Sequence, residues 1–361
     1  MGKAKRKLCT VLLLQNDCET LKTIIPKRCS PITSLCIIPY YALFCRSFQE
    51  YSGLEIIDPE YDSQVYDIRN GIKTFSDRYA RSQKRFLSTD EHQNEEFREL
   101  LQFDFMKEWN IHYNLGLYFD KEGHIVGNTQ LCFDMLGMNG LTEEEKAKKS
   151  YALGEYMGKV IGSVSTGLSK SITVPTIQVA DTEPEYYYED INTNISPFLN
   201  PQYSKGMNLY CLHLLSILGF VKYILEPIVL KENPWIFRIK YITVHYAISG
   251  LKKLKAFFEN DRQKNTNILY QRITEVIASC EYLFVPKFRN CMMHYDLVEN
   301  GFFVISDVHF DWNKPLFGLV EECFGMTYEV CYDKLSEAAT QIETCLSGLF
   351  DYSVLQIKRL E

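Results

Sequence analysis

Arg289, Asn290 and His294 stand in the run Phe288-Arg-Asn-Cys-Met-Met-His-Tyr295. Together they suit one reaction, attack of a ribose 2′-hydroxyl on its own phosphodiester. His294, with an ordinary imidazole pKa of about 6.5, can take or give the proton. Arg289 can pair with the phosphate as negative charge builds on it, and Asn290 can hold the phosphate or orient the histidine. This chemistry calls for no metal and no cofactor. Lys287 and Tyr295, at either end of the run, are the expected RNA contacts.

Pro286 is tolerated in a first helical turn, so it predicts a helix start that brings Arg289 within a turn of free backbone amides. On that helix Asn290 and His294, four apart, share a face. Arg289 and His294, five apart, diverge by about 140° at roughly 100° per residue. One regular helix does not aim both at a single atom. The helix must distort, the long arginine must wrap round, or a second copy of the motif must complete the site across a dimer.

The flanking sequence supplies the bundle that would hold such a helix. An almost continuous apolar helix is predicted from Met207 to about Glu226, ended by Pro227. Val244, Ala247, Leu251, Leu254 and Phe258 then step by three and four, as do Leu269, Ile273, Val276, Cys280 and Leu283. A strand-like stretch, Phe302–Phe310, follows Gly301. Tyr328, Cys331, Leu335, Ala338, Ile342, Cys345 and Leu349 mark a last helix, whose stripe fits either intramolecular packing or a seam between subunits.

With those residues in place, Arg289-Asn-x-x-x-His294 in a helical setting resembles the R-N-x3-H form of the R-x4–6-H motif of the HEPN superfamily of helical ribonucleases and nucleotide-binding proteins. The resemblance covers roughly residues 201–361. It implies metal-independent RNA cleavage to a 2′,3′-cyclic phosphate by a homodimer whose motifs meet at the interface, in toxin-like or antiviral defence. The looser pattern is also met by Arg85…His92 and Arg238…His245, neither of which has the asparagine. Some members carry a tyrosine two residues after the histidine; here Tyr295 is adjacent and Asp296 holds that place. The other reading in the same family is a non-catalytic nucleotide-binding or protein-interaction module.

The whole chain has 361 residues, 46% hydrophobic and 24% charged, enough for two cores and too apolar for a disordered chain. We read a mostly helical N-terminal domain over 1–175 that senses or positions something and can take a regulatory partner. An acidic linker over 176–200, punctuated by prolines, leads to a helical domain over 201–361. The fold class is mainly α with a short β-hairpin-like insertion. Helices are expected near Tyr66–Arg85 and Glu91–Lys107 and from Thr142, whose hydroxyl can cap the free amides.

A net charge of −7 argues against coating nucleic acid by bulk attraction. From Lys231 to His294, however, 11 basic residues face five acidic ones, which predicts a local RNA-facing surface. Twelve cysteines without a CxxC pair, most of them in apolar runs, fit a reducing cytoplasm. The stretch Cys29–Cys45 is short for a membrane span and is interrupted by Pro31 and Pro39, so no membrane is expected. Gly162–Ser171 lacks a lysine directly after its second glycine, which removes a phosphate-binding loop of the usual type. The motif residues also fit a structural role, with the histidine buried on a carbonyl and the arginine paired to Asp296 or Glu299.

Overall fold

The structure is a computed structural model that describes residues 2–27, 31–52, 59–101, 107, 112–168, 180, 184–260 and 267–360. It is mainly α, with about 70% of the chain helical. The first helices are α1 (Gly2–Lys27), α2 (Pro31–Ser52), α3 (Pro59–Gly71) and α4 (Tyr79–Glu99). The expected Tyr66–Arg85 helix is therefore divided. The chain turns after Asn70-Gly71 through a short 3-10 segment at Thr74–Ser76, whose Thr74 carbonyl is then bonded by Ser82 of α4. The end of the expected Glu91–Lys107 helix lies largely outside the described residues.

Strands β1 (Leu115–Phe119) and β2 (Ile125–Asn128) form a hairpin. Asp120 shapes its turn by accepting from the amides of Glu122 and His124, with Gly123 at φ +86°. Two helices follow, α5 (Thr129–Leu136) and α6 (Glu143–Leu168). The second starts as expected, in a capping box: the Glu145 amide donates to the Thr142 hydroxyl and the Thr142 amide to the Glu145 carboxylate.

Where a linker was expected, Tyr187–Ile191 is strand β3. It lies between β1 and β6 (Lys358–Arg359) in the antiparallel order β2-β1-β3-β6. The buried Asp90 of α4 ties this region together, accepting from Asn114, Gln130 and Thr193 and pairing with Lys205. An acidic, tyrosine-rich segment thus becomes sheet because neighbours on both edges satisfy its backbone.

The C-terminal elements are α7 (Lys205–Ile228, with a π-helical turn at Phe220–Leu225), α8 (Pro234–Phe258), α9 (Ile268–Cys280), α10 (Pro286–His294), a hairpin of β4 (Val298–Glu299) and β5 (Phe302–Phe303), α11 (Leu319–Phe324) and α12 (Tyr328–Ser347). The hairpin is shorter than the strand-like run predicted, because only Phe302 and Phe303 pair.

α8 is the central helix: every residue from Trp235 to Leu251 is buried. The α12 stripe lies inside the same chain, with all of Tyr328, Cys331, Leu335, Ala338, Ile342 and Cys345 covered. α1 packs on α6 and α8, and α2 on α3, α6 and α10, so one apolar interior runs from Cys9 to Phe350. Among the described residues, Lys205–Ile228 is the one helix long and apolar enough to cross a membrane, and it is mostly buried in that interior.

Candidate functional site

α10 opens on Pro286, as its sequence requires, and ends abruptly because Tyr295 adopts a left-handed conformation (φ 54°). The last carbonyls of a helix need outside partners. Here they come from three elements distant in sequence: Ser47 of α2 donates to Met293 O, Arg238 of α8 to Met292 O, and Thr10 of α1 to Tyr295 O. The N-terminal helices therefore clamp the end of the motif helix and fix where His294 emerges.

His294 is 42% exposed at its side chain. It stands on the wall of a cleft of about 490 Å³ lined also by Arg6, Lys7, Glu50, Tyr51 and Asp296. Its Nδ1 lies 3.5 Å from Glu50 Oε2 and 3.3 Å from Arg69 Nη2. Glu50 is held in turn by Arg46 Nε at 3.2 Å. Burial first, and the Arg69 charge second, lower the His294 pKa from its usual value, with Lys73 acting the same way and Glu50 opposing. The neutral imidazole is thus favoured.

Arg289 is half-buried and Asn290 exposed. The structure does not bring Arg289 to His294: Arg289 is absent from the lining of the cleft and its charge acts on Tyr241, His245 and Tyr246 of α8, while α3 supplies the arginine beside the imidazole. Arg69, 3% exposed, touches His294. Arg69 and Arg289 both lie close enough to Tyr246 to draw its phenol pKa down against the upward push of burial. Lys73, just beyond α3, is lowered by burial and by the positive charges of Arg69 and Arg289. Arg69, Lys73 and Arg289 have no carboxylate within salt-bridge distance among the described residues; Glu50 is the acidic group nearby. Sequence reading missed Arg69, Lys73 and Glu50, and no spacing signal marks them.

Two expected RNA contacts look different in three dimensions. Tyr295 is 1% exposed, its ring under the Arg238 guanidinium and its hydroxyl donating to Asp17 at 2.5 Å, so it is a core residue that cannot stack on a base. Lys287 is on the surface but pairs with Glu299 at 3.4 Å.

The basic excess of residues 231–294 also does not form one surface. Arg238 and Lys240 are buried against Asp17 and Glu226, while Lys252 and Lys255 pair with Glu281 and Glu259. The loose motif matches are absorbed structurally. Arg85 pairs with Asp134, and His92 Nδ1 sits on the Ser88 carbonyl. His245 is stacked on Phe284 with its pKa brought down to about 3 by burial.

The described cysteines are all unpaired and mostly buried. Comparison of the chain with protein-family models, with curated proteins and with solved structures gives no match in any of the three.

Proposed function

We propose that this protein is a metal-independent endoribonuclease of HEPN type, with His294 as the proton-transfer group, Arg289 stabilising the developing charge on phosphorus, and Asn290 binding the phosphate. The observation that carries the reading is the setting of His294: half-exposed on an open cleft, with a carboxylate beside its Nδ1. His245, by contrast, is buried.

Nδ1 faces both Glu50, which can accept a proton from it, and Arg69, which only donates; the reaction uses the tautomer with the proton on Nδ1 toward Glu50, which leaves the Nε2 lone pair free. Nε2 then takes the proton of the ribose 2′-hydroxyl as its oxygen attacks phosphorus. The P–O5′ bond breaks, a 2′,3′-cyclic phosphate forms, the departing 5′-oxygen takes a proton from water to become a hydroxyl, and the resulting hydroxide takes the proton from the imidazolium. Glu50 offsets the charge on the imidazolium. Asn290 makes no bond to His294 among the described contacts, which leaves its amide for the phosphate. The family resemblance implies a homodimer, although Arg69 supplies a second positive charge from within one chain.

Purified protein incubated with total RNA and a chelator should yield fragments ending in 2′,3′-cyclic phosphate and 5′-hydroxyl. Replacing the ribonucleotide at a cut site by its deoxy form should abolish cutting there. Cutting at the deoxy position would defeat the 2′-hydroxyl mechanism.

A further inference from the structure

We propose that Arg69 and Lys73, outside the helical bundle that carries the motif, form with Arg289 a phosphate-binding cradle for the diester backbone of the substrate. The inference rests on the reading of the site as a ribonuclease and adds the residues that hold its ligand.

Arg69 is almost fully buried, yet its Nε has no hydrogen-bond partner, and the Nε of Arg289 is likewise buried and unpaired. An uncompensated guanidinium in a protein interior is costly, and fixed cations that repel one another add to the cost. Elsewhere this chain pairs its buried cations: Arg238 with Asp17, Lys240 with Glu226, and Lys146 with Glu96 and Glu143. Here Arg69 stands beside both the His294 imidazole and Tyr246, Arg289 beside Tyr246 and Lys73 within range of His294, none of the three with a carboxylate at salt-bridge distance among the described residues. Glu50, the carboxylate in range, is already engaged with Arg46 and His294.

A phosphate oxyanion supplies what is missing. It accepts from guanidinium forks and from an ammonium, and its charge relieves the mutual repulsion. Tyr246, close to both Arg69 and Arg289, is a further donor at the same spot. The position fits the chemistry, because Arg69 already touches the imidazole that would receive the 2′-hydroxyl proton.

The probes are a single-stranded DNA oligonucleotide, which carries phosphodiesters and has no 2′-hydroxyl to be cut, and inorganic phosphate, both titrated into the full chain at constant ionic strength. The oligonucleotide should bind. Lys73→Gln and Arg69→Gln should each weaken it by about tenfold or more, the effect of losing a charge-assisted contact. Lys73 is half-exposed, so its variant folds even if the Arg69 variant does not.

Unchanged affinity in Lys73→Gln, with unchanged salt dependence, would overturn the cradle whatever the cleavage result. Stabilisation by inorganic phosphate with no oligonucleotide binding would keep the oxyanion site and overturn its assignment to a nucleic-acid backbone. Binding that follows these variants in a protein that cuts no RNA would leave the cradle standing and remove the ribonuclease reading.

Discussion

Arg238 and His245 on α8, and Arg289 and His294 on α10, satisfy the same loose sequence pattern, yet the fold treats them in opposite ways. Arg238 is completely buried, bonded to Asp17 and to Met292 O and laid over the Tyr295 ring. His245 is sealed under Phe284. Arg289 has no carboxylate partner among the described residues, and His294 opens on a cleft. Spacing places an arginine and a histidine near one another; what packs on them decides whether they hold the structure together or face a ligand. A charge with a buried partner is a structural device, whereas a half-buried charge with none leaves room for an anion.

The widest separation between the two pairs should appear in activity. His294→Ala should lower RNA cleavage by about 10²–10⁴-fold, the usual contribution of proton transfer by a positioned group, with thermal unfolding little changed. A parallel loss of stability in that variant would place His294 with His245, as a packing residue.

Arg238→Met should act on stability, because it leaves Asp17 buried and unpaired. Breaking a buried pair from one side costs about 3–5 kcal/mol, measurable by urea denaturation. Adding Asp17→Leu should recover most of that loss, since removing both charges lifts the penalty. If the double variant is as unstable as the single one, the clamp on the end of α10 depends on the Met292 contact rather than on charge.

Titration gives a smaller and more graded difference. His213 and His245 are both held neutral by burial, with pKa values of about 3. The unfolded chain therefore binds more protons than the folded one below about pH 6.5. Their stabilisation is complete above that value and is lost as pH falls toward 3, by up to about 1.4 kcal/mol per pH unit for each histidine. His245→Phe, which keeps a ring against Phe284, should flatten the acid limb of the stability curve by that amount. His294 should appear instead in the rate: cleavage rises with pH through a value below the usual histidine pKa and is level at neutrality. Glu50→Gln should move that rise to lower pH, because Glu50 opposes the lowering.

These differences also mark what the sequence could and could not convey. α9, α10 and α12 were visible as apolar stripes and start signals, because their periodicity and caps are local. The mainly α class followed from them. Ser47, Thr10, Asp17 and Arg69 were not visible. Arg69 meets His294 across 225 residues, and nothing in the Arg-Asn-Gly end of α3 states that it will do so. The β1–β2 hairpin was missed in a region read as mostly helical, although Asp120 and Gly123 shape its turn. β3 is strand only because β1 and β6 lie on either side of it. The candidate chemistry was therefore legible in type, while its charge environment was a product of tertiary packing.

The smallest effect is expected at Lys287, which contrasts with Lys73. Both are partly exposed cations near the motif, but Lys287 already faces Glu299 at 3.4 Å whereas Lys73 has no carboxylate within salt-bridge distance among the described residues. An exposed ion pair contributes about 0–1 kcal/mol, so Lys287→Ala should leave the unfolding midpoint nearly unchanged. Its cation is partly neutralised before any ligand arrives, so the same variant should weaken single-stranded oligonucleotide binding less than Lys73→Gln does. Equal losses at the two positions would mean that the nucleic acid also runs along the β4–β5 hairpin and displaces Glu299. A larger loss at Lys287 would shift the binding track away from α3 altogether, to the start of α10.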